Sequence, residues 1–189
     1  MGKLADLKQL KKAYLQQMFP QAGESVPRLR FAGVAGEWES RKLGEVAELF
    51  DNLRIPVAEA LREVGDTPYY GANGIQGYIN GFTHNGEFVL IAEDGASDIT
   101  NYPVRYVSGK IWVNNHAHVL QGMPSKTDTL FLAYMMSAVN YQPFLVGGTR
   151  AKLNGSVLKE IPISSPTLAE QTAIGKFFRT LDELIKLHS

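Results

Sequence analysis

Residues 77–122 read GYINGFTHNGEFVLIAEDGASDITNYPVRYVSGKIWVNNHAHVLQG, and this stretch decides the fold. Its apolar runs, GYINGF, GEFVLIAEDGA, VRYVSG, KIWVNN and HAHVLQG, are short and punctuated by Gly and Asn. Apolar runs rich in β-branched and aromatic residues, bounded by turn formers, are strand signals. They are expected to form short strands joined by turns. Just downstream, DTLFLAYMMSAVN at 128–140 has the length and composition of a helix, with Asp128 placed to cap it. Leu130, Phe131, Tyr134, Met135 and Ala138 are expected on its core side, and the methionine pair reads as packing. The class is α+β: a globular domain of short twisted strands with a few helices.

Outward from this domain, both ends of the chain are helical in pattern. Residues 3–19, KLADLKQLKKAYLQQMF, place Leu4, Leu7, Leu10, Tyr14, Leu15 and Met18 on one arc, before Pro20. Lys11 lies inside that arc, where its ammonium can snorkel. Residues 20–40 hold Pro20, Gly23, Pro27, Gly33 and Gly36 and read as a linker or extended arm. At the other end, Pro166 opens a second helix, and Thr167 with Glu170 makes a capping-box pattern, TLAE. Its Ile174, Phe177, Phe178, Leu181, Leu184 and Ile185 share one arc. Isolated helices of this length are marginal in water. The two are expected to pack on each other, on a second chain, or both, as an antiparallel or coiled-coil spacer. The expected division is a spacer helix at 1–20, a globular domain at 21–165 with its arm at 21–40, and a second spacer helix at 166–189.

The composition suits a folded chain: 189 residues, 44% hydrophobic and 20% charged. No cysteine is present, which removes disulfides, thiolate zinc sites and thiol catalysis. No apolar run approaches the roughly 20 residues of a membrane span, and no signal peptide is visible, so a cytoplasmic protein is expected. The 19 basic and 19 acidic residues cancel but are unevenly placed. Residues 43–100 carry 2 basic and 10 acidic side chains, whereas 101–161 carry 6 and 2. Such asymmetry fits either a face for a polyanion or ordinary solvated surface.

Enzymatic signals are weak. His116 and His118 alternate along a strand and, with Asp94, could ligate a metal, but no third ligand has motif spacing. A hydrogen-bonded histidine inside the sheet is the stronger reading. No GxGxxG, Walker loop or methyltransferase tetrapeptide of the NPPY kind occurs, so no cofactor and no metal are expected.

Seven patterns in order carry a resemblance: LKKAYLQQMFP, LRFAGVAGEWESRKLGEVAE, TPYYGANGIQGYI, VLIAEDGA, WVNNHAHVL, GGTRAKLN and IPISSPTLAEQTAIGKFFRTLDELI. Together they resemble the specificity subunit of type I restriction-modification systems. The resemblance implies a non-catalytic subunit that recognises double-stranded DNA through target-recognition domains spaced by conserved helices. It implies docking to a modification subunit, an adenine methyltransferase, and to a restriction subunit. Family members typically carry two target-recognition domains, and this chain has room for one. The expectation is a half-size subunit acting as a homodimer on a bipartite palindrome; a truncation of a longer subunit is the alternative. Leu7, Tyr14, Phe177, Phe178, Leu181, Leu184 and Ile185 are the expected dimer or partner stripe.

Three loops carry the chemistry that DNA needs, cations for phosphates and amide or guanidinium forks for base edges. TPYYGANGIQGYI offers Asn73 and Gln76 for adenine, and Tyr69 and Tyr70 for sugars or bases. GGTRAKLNG offers Gly148, Thr149, Arg150, Lys152 and Asn154 as a phosphate clamp or base-reading loop. SDITNYPVRYVSGK offers Asn101, Arg105 and Lys110. Each can equally be an ordinary turn. A docking module that reads no DNA, and a small metal-dependent enzyme built on His116 and His118, remain the other classes.

Overall fold

The computed structural model of the chain describes residues 2–21, 23–148 and 151–189. The helices are α1 (Lys3–Gln17), α2 (Thr129–Ser137), α3 (Gly155–Glu160) and α4 (Leu168–Leu187). The strands are β1 (Glu39–Lys42), β2 (Ala47–Leu49), β3 (Thr67–Gly71), β4 (Gly74–Ile79), β5 (His84–Ala92), β6 (Val104–Val113), β7 (Ala117–Gly122) and β8 (Pro162–Ser165). Six strands form one mixed sheet in the order β2-β7-β5-β6-β3-β4, and β1 pairs with β8 in a separate antiparallel ribbon. In the large sheet the β3–β6 pairing is parallel, and β2–β7, β7–β5, β5–β6 and β3–β4 are antiparallel. The α+β class expected from the runs is the one observed.

The continuous apolar run of β5 has a structural cause. Phe88 to Ala92 are all buried, because the strand has a core on each face. Val89 and Ile91 join the main core beneath the helices. Phe88 and Leu90 face a second core with Tyr70, Val107, Ile111, Val113, Ala117 and Val119. Neighbouring β7 divides the same way: Leu120 belongs to the first core, Ala117 and Val119 to the second.

VRYVSG and KIWVNN, expected as two strands, are one continuous strand, β6. Between them Gly109 has φ 86°, and it pairs with Gly86 at φ 149° on β5. Facing glycines with such dihedrals let a ladder bend without breaking its pairing.

Helix α2 is buried on nearly every side rather than on one. Phe131 to Met136 are all buried, because the sheet lies on one side and α4 on the other; Ala138, expected in the core, is exposed. Asp128 caps the helix as expected, its Oδ1 accepting from the Phe131 N–H at 2.9 Å.

The terminal helices pack on each other, as one of the sequence alternatives has it. Lys11 meets Asp182, Tyr14 packs edge-on against Phe177 at 5.0 Å, and Phe19 stacks on Phe178 at 5.8 Å. Along α1, Lys11 and then Tyr14 meet Asp182 and then Phe177, so the two helices run antiparallel. Lys11 does sit over an apolar surface, its ammonium 5.4 Å from the Tyr134 ring centre. Phe178 and Leu181 are buried in the chain's own core, while Phe177, Ile185, Leu7 and Tyr14 are half-covered and Leu184 is 38% exposed. Of the expected partner stripe, Phe178 and Leu181 therefore stabilise the chain itself.

The segment 20–40 is no free linker. Phe19 and Trp38 are buried against Phe131, and Arg30 reaches α4. This contact also corrects the capping box. The Thr167 hydroxyl accepts from the Glu170 N–H, but the Glu170 carboxylate does not return to the cap. It pairs bidentately with Arg30, Nε to Oε1 at 2.9 Å and Nη2 to Oε2 at 2.7 Å.

Candidate nucleic-acid interface

Four segments meet along one rim of the curled sheet: the β3–β4 turn, the loop at 94–101, the β6–β7 turn and the approach to α3. The links are specific hydrogen bonds. Asn73 Nδ2 donates to the Gly95 carbonyl at 2.9 Å, and its Oδ1 accepts from the Ser97 N–H at 2.8 Å. Asn114 Nδ2 donates to Gln76 Oε1 at 3.4 Å, and its Oδ1 accepts from the His116 N–H at 2.9 Å. His116 Nδ1 lies 2.5 Å from Asp94 Oδ1, and Asp94 bridges to Lys152 through the backbone. Arg105 lies against the turn, its Nη2 2.9 Å from where a Cβ on Gly74 would sit, and the φ of 120° is what calls for glycine there.

This geometry sorts the residues singled out from the sequence. Gln76, Asn101 and Arg105 are exposed on the rim. Asn73 is also exposed, but its amide is engaged on both arms, so it works as a strut for the 94–98 loop rather than as a fork for adenine. Tyr69 and Tyr70 are core residues, 1% and 8% exposed, and not a surface for sugars. Strand alternation turns the Tyr70 ring into the second core, and the Tyr69 hydroxyl donates to the Val57 carbonyl. Burial pushes the Tyr70 hydroxyl pKa up. Lys110 lies apart from Arg105 on β6, its ammonium 5.1 Å from the Phe82 ring centre. Gly148 is exposed, and Thr149 and Arg150 lie outside the described residues. Lys152 is not an open phosphate clamp, because its ammonium pairs with Glu93 Oε1 at 3.0 Å. Asn154 is the N-cap residue of α3, and its side chain makes no cap bond.

Asn114 and the His116–Asp94 pair were missed as rim residues. Their signal, WVNNHAHVL, gave a weak metal reading and a stronger one of a histidine hydrogen-bonded inside the sheet, and His118 is that histidine. The structure separates the two rings: His116 turns to Asp94, and His118 turns inward to Asp51 Oδ2 at 2.6 Å. Asp51, Glu93 and His118 bring three ligand-type atoms within 4.8 Å of one another. Arg54 and Lys152 already hold both Glu93 oxygens there. Burial alone would raise Asp51, but the His118 contact, the Val119 N–H and Arg54 outweigh it and hold the carboxyl below its usual range. Glu93 is likewise held low, against its burial, by Arg54 and Lys152. Among the described residues no helix is long and apolar enough to cross a membrane.

The comparisons with known proteins agree with this architecture. Residues 35–189 match the family model for the type I restriction modification DNA specificity domain. A Haemophilus influenzae protein named as a type I restriction enzyme specificity subunit is 47% identical over 148 residues, 78% of this chain and 38% of that protein. The Escherichia coli type I restriction enzyme EcoprrI specificity subunit is 27% identical over 152 residues, 78% of this chain and 37% of the subunit. The chain thus spans well under half the length of these curated relatives. In fold, it is similar to the crystal structure of the type I restriction-modification S subunit from M. genitalium. The TM-score is 0.74 at 18% identity, over 97% of this chain and 50% of that one. With the family model covering four-fifths of its length, the chain belongs to the type I restriction modification DNA specificity domain family.

Proposed function

We propose that this chain reads one half-site of a double-stranded DNA target for a type I restriction-modification complex. The observation that carries the reading is the rim: an exposed guanidinium, Arg105, with the exposed side chains of Asn101 and Gln76, on loops braced by Asn73 and by the Asn114 Nδ2 bond to Gln76 Oε1. Amide and guanidinium forks are the side chains that pair with base edges, and a braced loop presents them without a large ordering cost. The chain itself only binds. A modification subunit supplies the methyl donor site and takes the target adenine out of the stack, and a restriction subunit supplies cleavage where one is present. The complex works on cytoplasmic DNA.

Residues 21–165 form the recognition domain in this reading, and α1 and α4 form the spacer. Helix α4, with 20 residues, spans about 30 Å, close to the 34–36 Å of one DNA turn. Two copies joined through the half-covered helix face, Leu184 and Ile185 at its outer edge, set two half-sites about a turn apart. Two-fold symmetry then makes the site a bipartite palindrome.

The test is DNA binding by the protein with its modification subunit over a salt series. Arg105→Ala should weaken binding and, if the guanidinium reads a base, relax discrimination at one position by about 1–3 kcal/mol. Unchanged affinity and unchanged discrimination would remove Arg105 from the interface.

A further inference from the structure

Four charged side chains and a histidine meet beneath the rim, and only Lys152 among them reaches its exposed surface. Asp51 and Arg54 follow β2, Glu93 ends β5, His118 sits on β7, and Lys152 leads into α3. Arg54 Nη1 lies 2.7 Å from Glu93 Oε2, and Lys152 Nζ lies 3.0 Å from Glu93 Oε1. His118 Nε2 donates to the Leu153 carbonyl at 2.8 Å while Nδ1 meets Asp51. The interior of this cluster is closed: the His118 side chain is 2% exposed, and Arg54 and Glu93 are each 14% exposed. Lys152, at 45%, is its outer member. Backbone bonds follow the same line. The Leu153 N–H donates to the Glu93 carbonyl at 2.7 Å, and Lys152 and Val146 exchange bonds of 2.9 and 2.8 Å.

A divalent cation at Asp51, Glu93 and His118 would have to displace Arg54 or Lys152 from a Glu93 oxygen and break the His118–Asp51 contact. The cations already present neutralise the carboxylates, so the arrangement is a clamp on the chain. We propose that Glu93 and His118 are positioning residues for DNA reading, holding Lys152 and Leu153, and so the stem at Val146–Lys152, in one register against the rim. This rests on the DNA-reading function above. Lys152 acts here as a tether, and its charge is turned inward to Glu93 rather than outward to phosphate.

The tether and the phosphate contact make different predictions. Lys152→Met removes the tether, and Lys152→Arg keeps a cation in place. Amide hydrogen exchange is measured at Lys152 and Leu153. Binding, with the modification subunit, is measured over a salt series to a duplex carrying the motif methylated in cells and to a scrambled duplex. With Lys152→Met, exchange at Leu153 should quicken about two- to fivefold. The preference for the motif should fall about tenfold, with the salt slope unchanged. Lys152→Arg should restore both, which a mere loss of charge elsewhere would not explain. Glu93→Gln should repeat the Lys152→Met result from the buried side; if it fails to fold, Lys152→Met still decides. A salt slope lowered by about one, with exchange and preference intact, overturns the proposal and makes Lys152 a phosphate contact. Unchanged exchange, or faster exchange with preference intact, also overturns it. If the unmutated protein does not distinguish the two duplexes, the DNA-reading function fails, and the exchange comparison alone then decides the tether.

Discussion

Glu170→Ala should cost about 3–5 kcal/mol of folding stability, the range for breaking one side of a buried ion pair. The structure justifies the upper class of effect. The Arg30 and Glu170 side chains are 12% and 3% exposed, so solvent screens their interaction little. Two parallel bonds of 2.9 and 2.7 Å join them. Without the carboxylate, the guanidinium keeps, among the described residues, the carbonyls of Gly36, at 2.6 Å, and Ala35, at 3.4 Å, neither of which carries a charge. The Thr167 cap uses the Glu170 backbone N–H, which Glu170→Ala and Glu170→Gln both keep, so helix capping is not what the measurement reads. Glu170→Gln keeps the volume and one acceptor and should lose about half as much. The double change Arg30→Met with Glu170→Leu should recover most of the loss, because a buried pair contributes little net stability against an apolar replacement. Urea unfolding read by circular dichroism is the assay. With a slope of about 2 kcal/mol/M, Glu170→Ala should lower the midpoint by about 1.5–2.5 M. A loss under about 1 kcal/mol, or a double variant no better than the single one, would refute the reasoning.

Three further outcomes follow from the same geometry. Phe178→Ala, at a fully buried ring stacked 5.1 Å from Tyr134, should cost about 3–5 kcal/mol by thermal or urea unfolding, whereas Leu184→Glu at the exposed edge should leave stability within about 0.5 kcal/mol and lower any dimer content by sedimentation. Gly109→Ala, at φ 86°, should cost about 1–2 kcal/mol in the same assay, and a neutral result would mean that β6 does not need its bend. Stability should fall on acidification: Asp51 and Glu93 have lowered carboxyl pKa values, so their contribution is present above the ordinary carboxylate range near 4 and lost as pH falls through the folded values. Burial lowers His84 as well, so its share begins to fade below about 6.5; a urea midpoint flat or rising from about pH 7 to about pH 3 would contradict the signs.

What the sequence disclosed was local. Asp128 and Thr167 announce their helices because a cap is read within three residues, and both cap as expected. The strands of 84–122 are legible for the same reason, their turns being adjacent in the chain. Glu170 was assigned to its own cap because nothing nearby competes for it; its partner lies 140 residues away in a segment that reads as linker. Tyr69 and Tyr70 follow the same rule. Beside three glycines they resemble an exposed loop, but pairing with β4 and β6 turns their rings inward. Lys152 looks like a phosphate ligand until Glu93, 59 positions earlier, is brought to it. Gln76 and Arg105 were singled out by side-chain chemistry alone, and β4 and β6 leave both exposed. Long-range pairing decided each of the misassigned residues, and periodicity carries no information about it.

The central claim is that the Gln76–Asn101–Arg105 rim reads one half of a DNA site. Methylome mapping of cells that co-express this chain with its modification subunit tests it most directly. The account predicts methyladenine in both halves of a bipartite palindrome, and a changed half-site when Gln76 and Arg105 are replaced together. An asymmetric motif would mean that the chain pairs with a different recognition half. A motif that survives the double replacement unaltered, or methylation with no motif at all, would contradict the account.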